Sequence, residues 1–139
     1  MTKPVILCVD DESLVLENLE VELKKSLGNQ YIYEFAESAE EALEIIDELT
    51  DDGVKVVVVV SDWLMPGMKG DEFLIQVHKK RPQIIKILLT GQADEAAVER
   101  AKQEAHLHRC IYKPWNSKDL IGTIQDSILK HGQSNNSMH

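Results

Sequence analysis

Three carboxylates, a hydroxyl and a lysine stand where the apolar runs of this sequence stop. Asp10 and Asp11 follow Val5-Ile6-Leu7-Cys8-Val9, and Asp62 follows the valine run Val56 to Val60 and Ser61. Thr90 follows Ile84 to Leu89, and Lys113 follows Cys110-Ile111-Tyr112. Three carboxylates in one pocket repel one another by about 4 kcal/mol per pair at about 4 Å and an effective dielectric of about 20. Such a cluster either raises a pKa or holds a hard cation. With oxygen ligands only, and few of them, Mg²⁺ with retained waters is the natural guest and Mn²⁺ the alternative. A metal-bound carboxylate beside a lysine and a hydroxyl suits phosphoryl transfer, where the protein positions the groups and neutralises charge. A carboxylate can itself be the nucleophile and form an acyl phosphate. Asp62 is the best placed for that role, because Pro66, Gly67 and Gly70 open a loop directly after it.

The elements that must position these residues alternate strictly. Short, continuous apolar runs bounded by turn residues read as strands buried on both faces. The strands are expected at Val5–Val9, Tyr31–Phe35, Val54–Val60, Ile84–Leu89 and Cys110–Tyr112. Helices are expected from about Ser13 to Leu27, from Ser38, from Asp71 to Lys80, from Asp94 to Glu104, and after Asn116. Gly28 and the Arg81-Pro82 pair supply stop signals, and Ser38 with Glu41 reads as a capping box. Alternation with short connections implies a doubly wound α/β fold. The expected form is a flavodoxin-like five-stranded parallel sheet of order 2-1-3-4-5, flanked by five helices. In that order the first and third strands are neighbours, so Asp10, Asp11 and Asp62 converge at the carboxyl edge. Thr90 and Lys113 fall on the same rim.

At 139 residues the chain is long enough for one domain with a sizeable core. That domain is expected over residues 1–131, with the polar stretch 132–139 as a disordered tail. A net charge of −9 argues against nucleic acid or an anionic membrane as a direct partner. Cys8 and Cys110 lie in apolar runs and read as buried free thiols of a reduced, cytoplasmic protein. No signal-peptide or membrane-spanning run stands out. The five histidines lack metal-ligand spacing, and Trp115 reads as a packing residue.

From Lys3 to about His131 the sequence resembles the receiver domain of two-component response regulators, of the chemotaxis-regulator-like kind. The matching motifs are V-D-D-E at Val9 to Glu12, S-D-W-L-M-P-G-M-K-G at Ser61 to Gly70, L-T-G at Leu89 to Gly91 and K-P-W at Lys113 to Trp115. The resemblance implies that Asp62 accepts a phosphoryl group from a histidine kinase or phosphotransfer protein. It implies that Asp11, Asp62 and the Leu64 carbonyl bind Mg²⁺ directly and that Asp10 acts through a metal-bound water. Thr90 and Lys113 would hold phosphoryl oxygens, and the Lys113-Pro114 bond would be cis. Such a domain signals to a downstream effector or output domain and is no enzyme beyond its own phosphorylation and dephosphorylation.

One position departs from the pattern. Receivers usually carry Tyr or Phe three residues before the lysine as a switch, and here that residue is Cys110. Side chains alternate along a strand, so Tyr112 shares a face with Cys110, and Tyr112 or the fourth helix itself is expected to carry the signal. Gly91 leaves the pocket open to a donor or water, and Gln92 is expected to orient a hydrolytic water where Leu64 cannot. Two alternatives stand beside this reading. A small Mg²⁺-dependent phosphatase with an aspartate nucleophile would share the acids, although the D-x-D motif is absent after the first strand. A receiver fold used only for binding would have no need of all five polar residues.

Overall fold

The computed structural model describes residues 3–91 and 95–137, with backbone alone over 131–137. Val5–Val9 (β1), Ile32–Ala36 (β2), Val56–Asp62 (β3), Ile85–Thr90 (β4) and Arg109–Tyr112 (β5) form one sheet. Its order is β2-β1-β3-β4-β5 and every pairing is parallel, as the flavodoxin-like reading expects. β1 is buried throughout and β3 almost so, which is the condition that makes uninterrupted Val, Ile and Leu favourable in a parallel strand. β2 is half-buried except at Ala36, as an edge strand should be.

Five helices cover the two faces: Ser13–Leu27 (α1), Ala39–Asp51 (α2), Gly70–Lys80 (α3), Glu95–Glu104 (α4) and Ser117–Ser137 (α5). Alternate residues of β1 serve opposite cores. Val5, Leu7 and Val9 pack with Ala42 and Ile46 of α2 and Phe73, Leu74 and Val77 of α3. Ile6 and Cys8 pack with Leu16, Leu19 and Leu23 of α1 and Leu120, Ile121 and Ile124 of α5. α4 buries only Ala97, Val98 and Ala101, so it is the helix with least apolar anchorage at about 25 cal/mol per Å². No helix among the described residues is long and apolar enough to cross a membrane.

The helix ends follow local chemistry. Gly28 ends α1 at φ 65°, a conformation costly for other residues, and its N–H donates to the Lys24 carbonyl. At α2 the Ser38 hydroxyl accepts from the Glu41 N–H at 3.1 Å, and the Glu41 carboxylate reaches back to the Glu37 N–H at 2.7 Å. Asn116 caps α5 by accepting from the Asp119 N–H at 2.7 Å. α5 runs to Ser137, past the boundary expected at residue 131. A polar sequence without proline can continue a formed helix, because each added residue gains a bond without a new nucleation cost.

β4 carries a charge inside the core. Lys86 is 0% exposed, and its Nζ donates to the Ile84 and Pro82 carbonyls at 2.8 and 3.2 Å and meets His78 Nδ1 at 3.1 Å. His78 in turn stacks on His106, with ring centroids 4.3 Å apart. These acceptors are neutral, so burial dominates and lowers the Lys86 pKa from 10.5 to about 8. Between those pH values the unfolded chain holds more protons than the folded one, so folding stability gains as pH rises through the window. The shift corresponds to about 3 kcal/mol. Urea unfolding at pH 7.5 and pH 10 should show this gain in wild type and its loss in Lys86→Met. Equal pH slopes in the two proteins would contradict it.

Candidate functional site

The register of the sheet decides which polar residues meet. Val9 of β1 pairs with Ser61 of β3, so Asp10 and Asp62 leave adjacent strands side by side. Asp62 pairs with Leu89 of β4 and Thr90 with Tyr112 of β5, which sets Thr90 and Lys113 along the same edge. One oxygen each from Asp10, Asp11 and Asp62 lies within 4.8 Å of the others. Asp10 and Asp62 are buried, at 1% and 4% exposure, while Asp11 is exposed. Lys113 Nζ reaches to 3.4 Å from Asp62 Oδ1. Asp11, Asp62, Leu64, Gly91 and Lys113 line a common cavity of about 460 Å³. Thr90 is buried beside it, and its carbonyl accepts from the Lys113 N–H at 2.7 Å. The Lys113-Pro114 bond is cis.

Burial is the main reason the Asp10 carboxyl is pushed up to about 6. The neighbouring Asp62 and Asp11 charges add to the rise, against the Glu12 N–H bond at 2.9 Å and Lys113. Asp62 is also raised, first by burial and then by Asp11, although Lys113 and the Trp63 N–H pull it down. Asp10 Oδ2 is buried and has no hydrogen-bond partner. An orphaned carboxylate oxygen beside two more acids fits a hard, oxygen-seeking divalent cation.

This strain makes a stability prediction. A carboxyl whose folded pKa is raised stabilises the fold only when protonated, and that contribution is lost as pH rises from 3.8 through about 6. The loss amounts to about 3 kcal/mol at pH 7. In EDTA, Asp10→Asn should therefore be more stable than wild type at pH 7 and nearly equal to it at pH 4. Urea midpoints at the two pH values check this. Equal midpoints at pH 7 would mean that the cluster carries no net repulsion.

The loop after Asp62 is fastened at several points. The Trp63 N–H donates to the Leu89 carbonyl at 2.8 Å, and the Gly70 N–H donates to the Trp63 carbonyl at 2.8 Å. Met65 is buried at 3% exposure. Gly70 lies so close to the Asp62 and Trp63 backbone that a Cβ there would overlap the Asp62 carbonyl oxygen. Trp63 Nε1 donates to Asp71 Oδ1 at 3.1 Å, and Lys69 Nζ sits 5.4 Å from the indole centroid.

Some placements differ in kind from their sequence reading. A Cβ on Gly91 would come within 3.1 Å of Lys113 Cδ, so this glycine makes room for the lysine as well as for an incoming group. Trp115 does more than pack, since Lys113 Nζ lies 5.3 Å from its ring centroid. Asp71 reads from sequence as a helix-dipole residue, but it is 3% exposed and hydrogen-bonded to Trp63. Nothing in the spacing signals that contact. Cys110 and Tyr112 share a face of β5, and the nearby Cys110 side chain pushes the Tyr112 hydroxyl up. Tyr112 is half exposed, neither residue lines the cavity, and Ile111 packs into the opposite core. Gln92 lies outside the described residues.

Residues 6–125 match the family described as response regulator receiver domain. The hydrogenase transcriptional regulatory protein HoxA of Cupriavidus necator is 29% identical over 91% of this chain, which spans 24% of that protein. The sensor kinase CckA of Brucella abortus is 34% identical over 90% of this chain, which spans 12% of it. The chain thus spans a quarter or less of the length of these curated relatives. Among solved structures, a signal receiver domain of an HD domain-containing protein from Pseudomonas fluorescens superposes with a TM-score of 0.83 at 27% identity, covering 95% of this chain and 99% of that one. A CheY-like receiver domain from Methanospirillum hungatei gives 0.82 at 28% identity, covering 96% and 99%. Sheet order, acid cluster and family match agree, and the chain belongs to the response regulator receiver domains of two-component signalling.

Proposed function

We propose that this chain is a phosphorylation-dependent switch in which Asp62 takes a phosphoryl group from a phosphohistidine of a kinase or phosphotransfer protein. An Asp62 carboxylate oxygen forms the new O–P bond as the P–N bond breaks, and the imidazole leaves with a proton. The observation that carries this reading is the meeting of Asp62 with Lys113 at 3.4 Å and two further acids in one cavity. Lys113 is placed to follow the charge onto the phosphoryl oxygens, with its ammonium held between Asp62 and the face of Trp115. Thr90, at the end of β4, supplies the hydroxyl on the same rim. Asp11, Asp62 and the Leu64 carbonyl would hold Mg²⁺ or Mn²⁺, with Asp10 acting through water. The cation supplies charge neutralisation between the acids and the incoming phosphoryl group. Asp10 is tied to the Glu12 N–H through Oδ1, which leaves its buried Oδ2 free of hydrogen bonds.

The phosphorylated state is read from the face made by α4, β5 and α5. Tyr112, half exposed at the end of β5, is the side chain on that face with which a partner or output domain would register the change. The match to receiver domains over residues 6–125 favours this reading over a free-standing phosphatase.

Incubation with acetyl phosphate and Mg²⁺ tests it. Intact mass should rise by one phosphoryl group. The label should be lost in mild base, as an acyl phosphate is, and should not form in EDTA. A base-stable label, or full labelling in EDTA, would count against an aspartyl phosphate made in this pocket.

A further inference from the structure

α3 and α4 pack together more extensively than any other helix pair, yet the apolar part of α4 in the core is one valine and small alanines. The contact contains a polar element that the switch described above does not use. Asp71, in the first turn of α3, is 3% exposed, and each of its carboxylate oxygens has its own partner. Oδ1 accepts from Trp63 Nε1 at 3.1 Å, and Oδ2 pairs with the guanidinium of Arg100 on α4 at 3.1 Å. Trp63 directly follows Asp62, and its backbone is tied to β4 through Leu89 and to the start of α3 through Gly70.

We propose that Asp71 is a positioning residue that links the indole beside the phosphoacceptor to Arg100, so that a change at Asp62 reaches α4 across α3. The proposal rests on Asp62 being the phosphoacceptor. A buried carboxylate with two donors cannot release one cheaply, because the remaining charge would stay desolvated and half-paired. Movement of Trp63 therefore shifts the carboxylate or breaks a bond, and either event changes the hold on Arg100. Arg100 is half exposed, so of the two donors it is the one that water can replace. Among the described residues, this ion pair joins α4 to α3 beside the packing of Ala97, Val98 and Ala101, which is little apolar anchorage for a helix. The link runs on the α3 side of the sheet and needs no aromatic residue at Cys110.

The test uses the full chain with Mg²⁺ and beryllofluoride as the phosphoryl mimic. Calorimetry reads binding at Asp62, Trp63 fluorescence reads the indole, and amide exchange reads α4. In wild type, binding should shift the fluorescence and change α4 exchange. Arg100→Gln and Asp71→Asn should bind beryllofluoride within about threefold of wild type while the change in α4 exchange falls by about fivefold or more, the scale of a typical coupling. Arg100→Gln should keep the fluorescence shift, because it leaves the Trp63–Asp71 bond in place. Arg100→Lys should restore part of the α4 response. A purely structural role would raise α4 exchange in both states and leave the difference between them unchanged, which would overturn the proposal. A full α4 response in Arg100→Gln, whose site is half exposed and tolerant, would overturn it as well. Failure of wild type to bind beryllofluoride would instead remove the Asp62 assignment, and the coupling with it.

Discussion

Asp62→Ala is expected to abolish covalent phosphorylation by acetyl phosphate, with a loss in rate of at least about 10³-fold. The three acids of the cluster are not equivalent. Asp10 is 1% exposed, has one oxygen committed to the Glu12 N–H, and is pushed up to about 6, so it is partly protonated at slightly acidic pH and a poor nucleophile there. Asp11 is exposed to water and lies at the mouth of the cavity. Asp62 is the one paired with Lys113, whose ammonium lowers its pKa against the effect of burial and, under the proposed function, would meet the charge of the incoming phosphoryl group. Intact-mass analysis over a time course reads the result. Labelling of Asp62→Ala at the wild-type rate would move the nucleophile to Asp10 or Asp11, and substitution of each would identify it.

Gly70→Ala should destabilise the fold by about 3 kcal/mol, combining overpacking against backbone with the loss of one hydrogen bond. The added Cβ would overlap the Asp62 carbonyl oxygen and come within 2.8 Å of Trp63 Cα. Neither obstacle is a flexible side-chain end, so β3 and α3 must separate locally. That movement breaks the Gly70 N–H to Trp63 carbonyl bond and shifts Asp62, the proposed phosphoacceptor. Phosphorylation of the folded fraction should therefore slow as well. Urea unfolding measures the first effect and acetyl phosphate labelling the second. An unchanged urea midpoint would show that the α3 N-terminus can move away without cost. Gly67→Ala is a useful contrast, because its Cβ meets only the Glu40 carboxylate at 3.4 Å and its cost comes from φ 79°.

The placement of the acid cluster was legible because a parallel sheet leaves unusually direct marks on a sequence. A strand covered on both faces must be apolar throughout, so its last apolar residue announces the sheet edge, and Asp10, Asp62, Thr90 and Lys113 announce themselves by following it. Strand order could be inferred because the second strand is among the least apolar, as an edge strand is. Lys86 shows the limit of this logic. One lysine within Ile84 to Leu89 does not break the run, yet whether its ammonium escapes to water or is capped by the Ile84 and Pro82 carbonyls depends on how α3 lies across β4.

By itself, then, the sequence determined the alternation of elements, the parallel sheet and the residues at its carboxyl edge. These follow from local apolar periodicity and from the short range over which chain stops act. Only the tertiary structure decided the contacts that join separate elements. Packing of α3 against the sheet and α4 brings Asp71 onto both Trp63 and Arg100, and stacks His78 on His106. The convergence of chains at one edge leaves Asp10 Oδ2 without a partner and Lys113 resting over Trp115. The physical reason is that side-chain pairing across elements depends on interaxial distance and register to within about an ångström, whereas the pattern of apolar residues specifies only which face of each element turns inward.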